Sequence, residues 1–248
     1  MIDIHNHLLA NIDDGAPDIE TAITLAKIAV DDGITHMVCT PHIHFGRYDN
    51  TLATIAAAKQ QFESALKENN IALNIATAAE VRFDAEIMTM VTNESLPFIG
   101  EWQGKNVMLL EFPHGELPFA AENLTSWLLQ NNIIPMIAHP ERNKAILTSS
   151  SKLKPFIQQG CLLQVTAGSL VGKFGQRVEQ EARSLLDEDL ITVLASDAHN
   201  EHYRPPILTE GFNAAAEIIG EDKAYQLVHD TPWLISQSLF ERGAILSS

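Results

Sequence analysis

Short β-branched or apolar runs alternate with longer stretches whose apolar residues recur at helical spacing, from Ile2 through Ile219. The runs predict strands at Ile2–His5, His36–Thr40, Ala72–Ala78, Asn106–Glu111, Ile134–His139, Leu162–Thr166 and Ile191–Ser196. Helices are expected at Ile19–Asp31, Thr51–Asn69, Asp84–Thr92, Ala120–Gln130, Lys152–Gln159, Arg177–Asp187 and Glu210–Ile219, with Asp18 and Thr209 as N-caps. Such alternation predicts an α/β fold with a parallel sheet and crossover helices, and seven repeats are enough for a barrel. No fixed-period repeat, low-complexity tract or Pro/Gly linker breaks the series, so residues 1–248 are expected to form one domain. Only the tail, Arg242–Ser248, is expected to be loosely held.

Six of the apolar runs close on a side chain able to bind a metal. These are His5 in IDIH, His42 in CTPH, Glu80 in AAE, Glu111 in LLEF, His139 in IAHPER and Asp197 in LASDAH. In a parallel barrel the C-terminal strand ends face one mouth, so residues far apart in sequence meet there. His5 and His7 are two apart and project the same way while Asn6 points elsewhere; Asp197 and His199 repeat the spacing. Carboxylates buried together repel or take up protons, whereas divalent cations neutralise them. A ligand set of imidazole and carboxylate without thiolate suits manganese, iron or zinc better than it suits a Cys-rich structural zinc site.

Composition narrows the chemistry further. The chain of 248 residues is 46% hydrophobic, long enough for one large core, and carries a formal charge of −16. That charge, with no basic run to offset it, argues against nucleic acid and anionic membranes as partners. Cys39 and Cys161 are isolated and form no CxxC, as expected of reduced thiols. With no basic leader followed by an apolar core and no long uncharged apolar stretch, the protein is expected to be cytoplasmic, with no direct membrane insertion.

The stretches DIHNHLL, DDG, TPHIH, AAEVR, EF, IAHPER and SDAHN, in this order, resemble the polymerase and histidinol phosphatase (PHP) superfamily. Within it, the likeness is strongest to bacterial tyrosine-protein phosphatases of capsular and extracellular polysaccharide operons, and it runs from Met1 to about Pro232. The resemblance implies a distorted (β/α)7 barrel holding three divalent metal ions, manganese foremost, and a phosphotyrosine substrate on a membrane-associated tyrosine autokinase. It further implies that His5, His7 and Asp197 hold one ion, with Glu80 bridging to a second that also takes Glu111 and His139. Asp14, His42 and His199 would hold the third, and Arg142 and Arg204 would contact the phosphate.

Those groups suit phosphate monoester hydrolysis. Clustered cations screen the anion and lower the pKa of water, and arginine forks match the equatorial phosphate oxygens. A cysteine-dependent phosphatase is excluded, because neither cysteine is followed by five residues and an arginine. GSLVGKF at Gly168–Phe174 has the wrong glycine spacing for a P-loop and reads as an ordinary loop. His44 is read as a neighbour of the site, and His36, His114, His202 and His229 as surface or hydrogen-bonded residues, with the rim an alternative place for His114 and His202. Two other functions share parts of the pattern: a small-molecule phosphatase such as histidinol phosphatase, and a catalytically silent metal-binding PHP module.

Overall fold

Along Lys105–Glu111 successive side chains turn to two different apolar clusters: Val107 and Leu109 join one, Met108 and Leu110 the other. The first cluster gathers Ile2, Ile4, Val38, Ala76, Ile134, Met136 and Val193 and fills the inside of a barrel. The second lies between the strands and the surrounding helices. Period-two alternation between two apolar environments is why the runs read as continuously hydrophobic. This computed structural model describes residues 1–246, with side chains through Glu241, so the expected looseness of the Arg242–Ser248 tail lies outside the described side chains.

The strands are β1 (Ile2–Asp3), β2 (His36–Cys39), β3 (His42–Ile43), β4 (Asn74–Thr77), β5 (Glu80–Arg82), β6 (Gly100–Trp102), β7 (Lys105–Glu111), β8 (Ile133–Ala138), β9 (Leu162–Thr166) and β10 (Val193–Ala195). All pair in parallel except β6, which turns back on β7. β1, β2 and β4 make one sheet, and the order β10-β9-β8-β7-β5-β3 makes the other. β2 and β3 are halves of one path broken at Thr40–Pro41, and β4 and β5 are halves of another broken at Ala78–Ala79. Taken together these give the seven expected paths. The breaks shift pairing from one sheet to the other, which distorts the barrel.

The seam between β1 and β10 closes through Asp197 N–H to His5 O and His7 N–H to Ala198 O, both at 2.8 Å. Below them the buried Asp3 carboxylate accepts from Ser196 N (3.0 Å) and Ser196 Oγ (2.6 Å). Burial pushes the Asp3 carboxyl up and outweighs the opposing pull of the Ser196 bonds, leaving it at about 6.

Helices lie outside with one apolar stripe inward. In Ile19–Asp31, Ala22, Leu25, Ala26 and Ala29 are buried, and Asp18 caps the first turn by accepting from Thr21 N at 2.8 Å. Thr209 is not an N-cap. It is the first residue of the helix Thr209–Ile219, whose leading N–H groups are capped from another helix, as Asp32 Oδ2 accepts from Leu208 N (2.6 Å) and Thr209 N (3.1 Å). The stretch expected as one helix at Lys152–Gln159 is a 3₁₀ turn, Ser150–Leu153, followed by a helix from Lys154 to Gln159.

The helix Thr231–Leu246, which the apolar pattern does not signal, closes the base of the barrel. Ile235 enters the interior cluster, Trp233, Leu239 and Phe240 pack against it, and Leu234 stays exposed. With Leu234 exposed between the inward Trp233 and Ile235, the described apolar residues are not confined to one face and the helical period is weak. Gly100 lets this helix approach: at φ 138° it has no side chain, and a Cβ there would sit 1.8 Å from Ile235 O. Gly100→Ala should therefore lower stability by roughly 2–4 kcal/mol, read as a fall in the urea midpoint at constant slope. An unchanged midpoint would mean the helix does not seal the base as described.

Candidate metal centre

Each side chain predicted at a strand end lies at the C-terminal mouth, and their polar atoms converge. Nε2 of His5 and Nε2 of His7 are 3.4 Å apart. Glu80 Oε2 lies 3.3 Å from both, and Asp197 Oδ1 lies 3.4 Å from His5 and 3.5 Å from His7. Donor atoms each about 2.0–2.2 Å from one centre have separations of this size, so the four fit a tetrahedral cation site.

A second group comprises His42, Glu80 and Glu111. His42 Nδ1 is 3.1 Å from Glu80 Oε2 and 3.9 Å from Glu111 Oε2. The opposite nitrogen of the same ring, Nε2, is 3.3 Å from Asp14 Oδ1, and His199 Nε2 is 3.6 Å from that oxygen, so Asp14, His42 and His199 gather with His7 as a third group. His42 thus stands between two groups, where the family resemblance gave it only the third. His139 does not reach Glu111's free oxygen within a common group; its Nε2 lies 2.8 Å from the other oxygen of Glu80, Oε1.

Each of the three buried carboxylates has one oxygen held and the other free. Glu80 Oε1 is met by His139, Glu111 Oε1 accepts from Arg82 Nη1 at 2.7 Å, and Asp197 Oδ2 accepts from Arg142 Nη1 and, at 3.4 Å, from Arg204 Nη1. Glu80 Oε2, Glu111 Oε2 and Asp197 Oδ1 face the common space, buried and without a hydrogen-bond partner, as does His42 Nδ1. An unpaired buried carboxylate oxygen costs several kcal/mol, and three aimed at one region call for positive charge. The donor set therefore fits divalent cations.

The imidazoles are pre-set for the same task. His7 Nδ1 donates to Asp13 Oδ2 at 2.7 Å, His5 Nδ1 to Gln164 Oε1 at 2.8 Å, and His199 Nδ1 to the Asp197 carbonyl at 2.9 Å. With Nδ1 committed as donor in all three, Nε2 presents its lone pair to the cluster. Burial pulls the His7 imidazole down, but Asp13, Asp197 and Glu80 outweigh it and hold its pKa well above the usual range. Burial opposes ionisation of Glu80 and Asp197 too, yet His5, His42 and His139 around the first and Arg142 around the second keep both well below the usual carboxylate range. Burial and the nearby His7 push His199 down to about 4, so it stays neutral at physiological pH. Proton and cation compete for the same nitrogens.

Two of these residues sit in the left-handed region of backbone space, His139 at φ 32° and Asp197 at φ 51°. For side chains other than glycine each costs roughly 1–3 kcal/mol, a strain typical of functional positions. In the loop after β1, Gly15 is needed because a Cβ would meet His7 O at 2.0 Å, and this close approach lets Gly15 N donate to Asp13 Oδ1 at 2.9 Å.

Sequence reasoning missed three residues here. Asp13 holds His7 and accepts from His42 N at 3.0 Å; its signal was the pair of aspartates in DDG, of which only Asp14 was used. Gln164, a polar residue inside the apolar strand LLQVT, orients His5 and accepts from His139 N at 3.2 Å. Arg82, two residues after Glu80, holds Glu111. His44 and His114 line the cavity of about 270 Å³ at the mouth and join none of the three groups. His202 is exposed. GSLVGKF forms a 3₁₀ turn after β9, and Lys173 pairs with Glu210 at 2.6 Å, as in an ordinary loop. Cys39 and Cys161 are free, buried and pushed up by burial, so neither is a nucleophile.

Residues 1–236 match the model of a family described as capsular polysaccharide synthesis, CpsB/CapC. The chain belongs to the CpsB/CapC family. It is 36% identical over 213 residues to the putative tyrosine-protein phosphatase CapC of Staphylococcus aureus, covering 86% of this chain and 82% of that one. It is 33% identical over 243 residues to the tyrosine-protein phosphatase YwqE of Bacillus subtilis (strain 168), covering 98% and 94%. A solved structure from work on YwqE and on CpsB of Streptococcus pneumoniae, described as unique metal-dependent tyrosine phosphatases, superposes with a TM-score of 0.87 at 34% identity over 94% of each chain. The histidinol phosphate phosphatase of Lactococcus lactis shares the fold, with a TM-score of 0.53 at 13% identity over 90% of this chain and 93% of that one.

In this CpsB/CapC family member the Asp13 contact offers a direct check of the centre. Asp13→Asn keeps the shape but can no longer bind the Nδ1 proton as a carboxylate, and loss of such an orienting partner typically weakens metal affinity about 10–100-fold. Titration calorimetry with Mn²⁺ should show that loss with an unchanged circular dichroism spectrum. Wild-type affinity would remove His7 from the set.

Proposed function

We propose that this protein is a metal-dependent protein-tyrosine phosphatase acting on the phosphotyrosine of a membrane-associated tyrosine autokinase in capsular or extracellular polysaccharide synthesis. Of the metals, three ions fit the donor groups, with manganese preferred and iron or zinc as alternatives. His5, His7, Glu80 and Asp197 would hold one ion, His42, Glu80 and Glu111 a second with His139 steadying the other Glu80 oxygen, and Asp14, His42 and His199 the third. The observation that carries the reading is the set of free carboxylate oxygens beside two arginines at one mouth. Bound there, divalent cations would screen the phosphate charge and lower the pKa of an attacking water.

The chain's own groups do the positioning. Arg142 and Arg204 each spend donors on Asp197 and keep others for the phosphoryl oxygens, whose charge spreads as the ester bond breaks. Arg142 is further fixed by Thr166 Oγ1 at 3.3 Å and by the Phe174 ring 4.6 Å away. Tyrosine leaves as a phenolate of pKa near 10, so the absence of an obvious general acid is no obstacle. Asp14, its side chain 38% exposed, and Tyr203, 84% exposed beside Arg204, favour a mouth open to a peptide over a covered pocket for a small substrate. No helix among the described residues is long and apolar enough to cross a membrane. We place the reaction in the cytoplasm.

Rates on a phosphotyrosine peptide, a phosphoserine peptide and histidinol phosphate with Mn²⁺, before and after chelation, test the proposal. The phosphotyrosine peptide should turn over fastest and chelation should abolish its hydrolysis. Arg204→Ala should lose about 100-fold in kcat with metal content intact, since Arg142 still holds Asp197. Faster turnover of histidinol phosphate would give the activity to the small-molecule reading.

A further inference from the structure

The chain has seven arginines in all, and four of them line one cavity at the mouth: Arg47, Arg82, Arg142 and Arg204. In a protein of net charge −16 that concentration demands a reason. The strand order divides the four into two pairs. Arg142 follows β8 and Arg204 follows β10, whereas Arg82 ends β5 and Arg47 follows β3, at the other end of the sheet order. The first pair is tied to Asp197. Of the second pair, Arg82 uses Nη1 on Glu111, and the Arg47 guanidinium makes no ion pair among the described residues.

Arg47 is nonetheless not a random surface charge. Its guanidinium lies 4.9 Å from the centroid of the Tyr48 ring, and Tyr48 stacks nearly parallel on His42, with centroids 5.7 Å apart and planes 8° from parallel. This orders the arginine against the wall of the site while leaving its donors open. His44 lines the same cavity as both guanidiniums, on the side where Arg47 follows β3.

Resting on the phosphatase reading above, we propose that Arg47 and Arg82, with His44, form a second anion subsite that receives a carboxylate or phosphate on a peptide residue flanking the phosphotyrosine being hydrolysed. The pair Arg142 and Arg204 takes the reacting phosphate; the opposite pair selects an acidic neighbour. Specificity for an acidic stretch then arises without any change in the chemistry at the metal groups.

The test compares four substrates with the Mn²⁺-loaded protein: a small aryl phosphate and phosphotyrosine peptides with neutral, Asp/Glu or second-phosphotyrosine flanks. Arg47 is varied and Arg82 is left alone, because Arg82 holds Glu111. Wild type should favour the acidic peptides about tenfold through KM, the size of one charge-assisted contact, and the preference should shrink at high salt. The two acidic flanks tell whether carboxylate or phosphate is preferred. Arg47→Ala should erase the preference and Arg47→Glu should invert it, with the aryl phosphate unchanged in both. Equal KM for acidic and neutral peptides in wild type, or an equal loss on every substrate in the variants, overturns the subsite. A protein that turned over nothing would count against the phosphatase reading alone, since fluorescence anisotropy of the same peptides still reads the Arg47 contact.

Discussion

Three carboxylates at the mouth of the barrel are each held by one oxygen and left open by the other, and the open oxygens face the same small region. Burial makes that arrangement unfavourable for the protein by itself. It is maintained because Arg82, Arg142, Arg204 and His139 lock the outer oxygens, and because imidazoles fill the space between the inner ones. A divalent cation turns the same strain into binding energy, since its positive charge meets groups that need no rearrangement to receive it.

The fold is arranged around this demand. Seven strand paths bring residues from His5 to Arg204 to one face. The breaks at Thr40–Pro41 and Ala78–Ala79 let β3 and β5 leave the first sheet, so that His42 and Glu80 reach the centre. At the opposite end, the helix Thr231–Leu246 supplies Ile235, Trp233, Leu239 and Phe240 as an apolar plug beneath the interior cluster. Positive φ at His139 and Asp197 is the local cost of turning ligands inward at the strand ends.

Much of this was legible in the sequence. Apolar runs ending in His or an acid located the strands and the residues that converge, since both signals are local and repeated. What escaped detection depended on tertiary geometry. Thr209 looks like a cap but is capped by Asp32 from another helix. The closing helix hides because Leu234 faces out next to the buried Ile235, which blurs the helical period. Asp13, Gln164 and Arg82 contribute through other side chains, and nothing in a single sequence distinguishes a carboxylate that orients a histidine from one that binds beside it. The assignment of His42 between two groups likewise needs both ring nitrogens to be seen at once.

Family membership and physical reading meet at the same atoms, so the account stands or falls on what occupies the space between them. Diffraction from Mn²⁺-soaked crystals, with anomalous data at the manganese edge, addresses this most directly. The account predicts three anomalous peaks, one of them enclosed by His5, His7, Glu80 and Asp197. A map with no peak there, or with Glu80 and Asp197 turned away from each other, would contradict it.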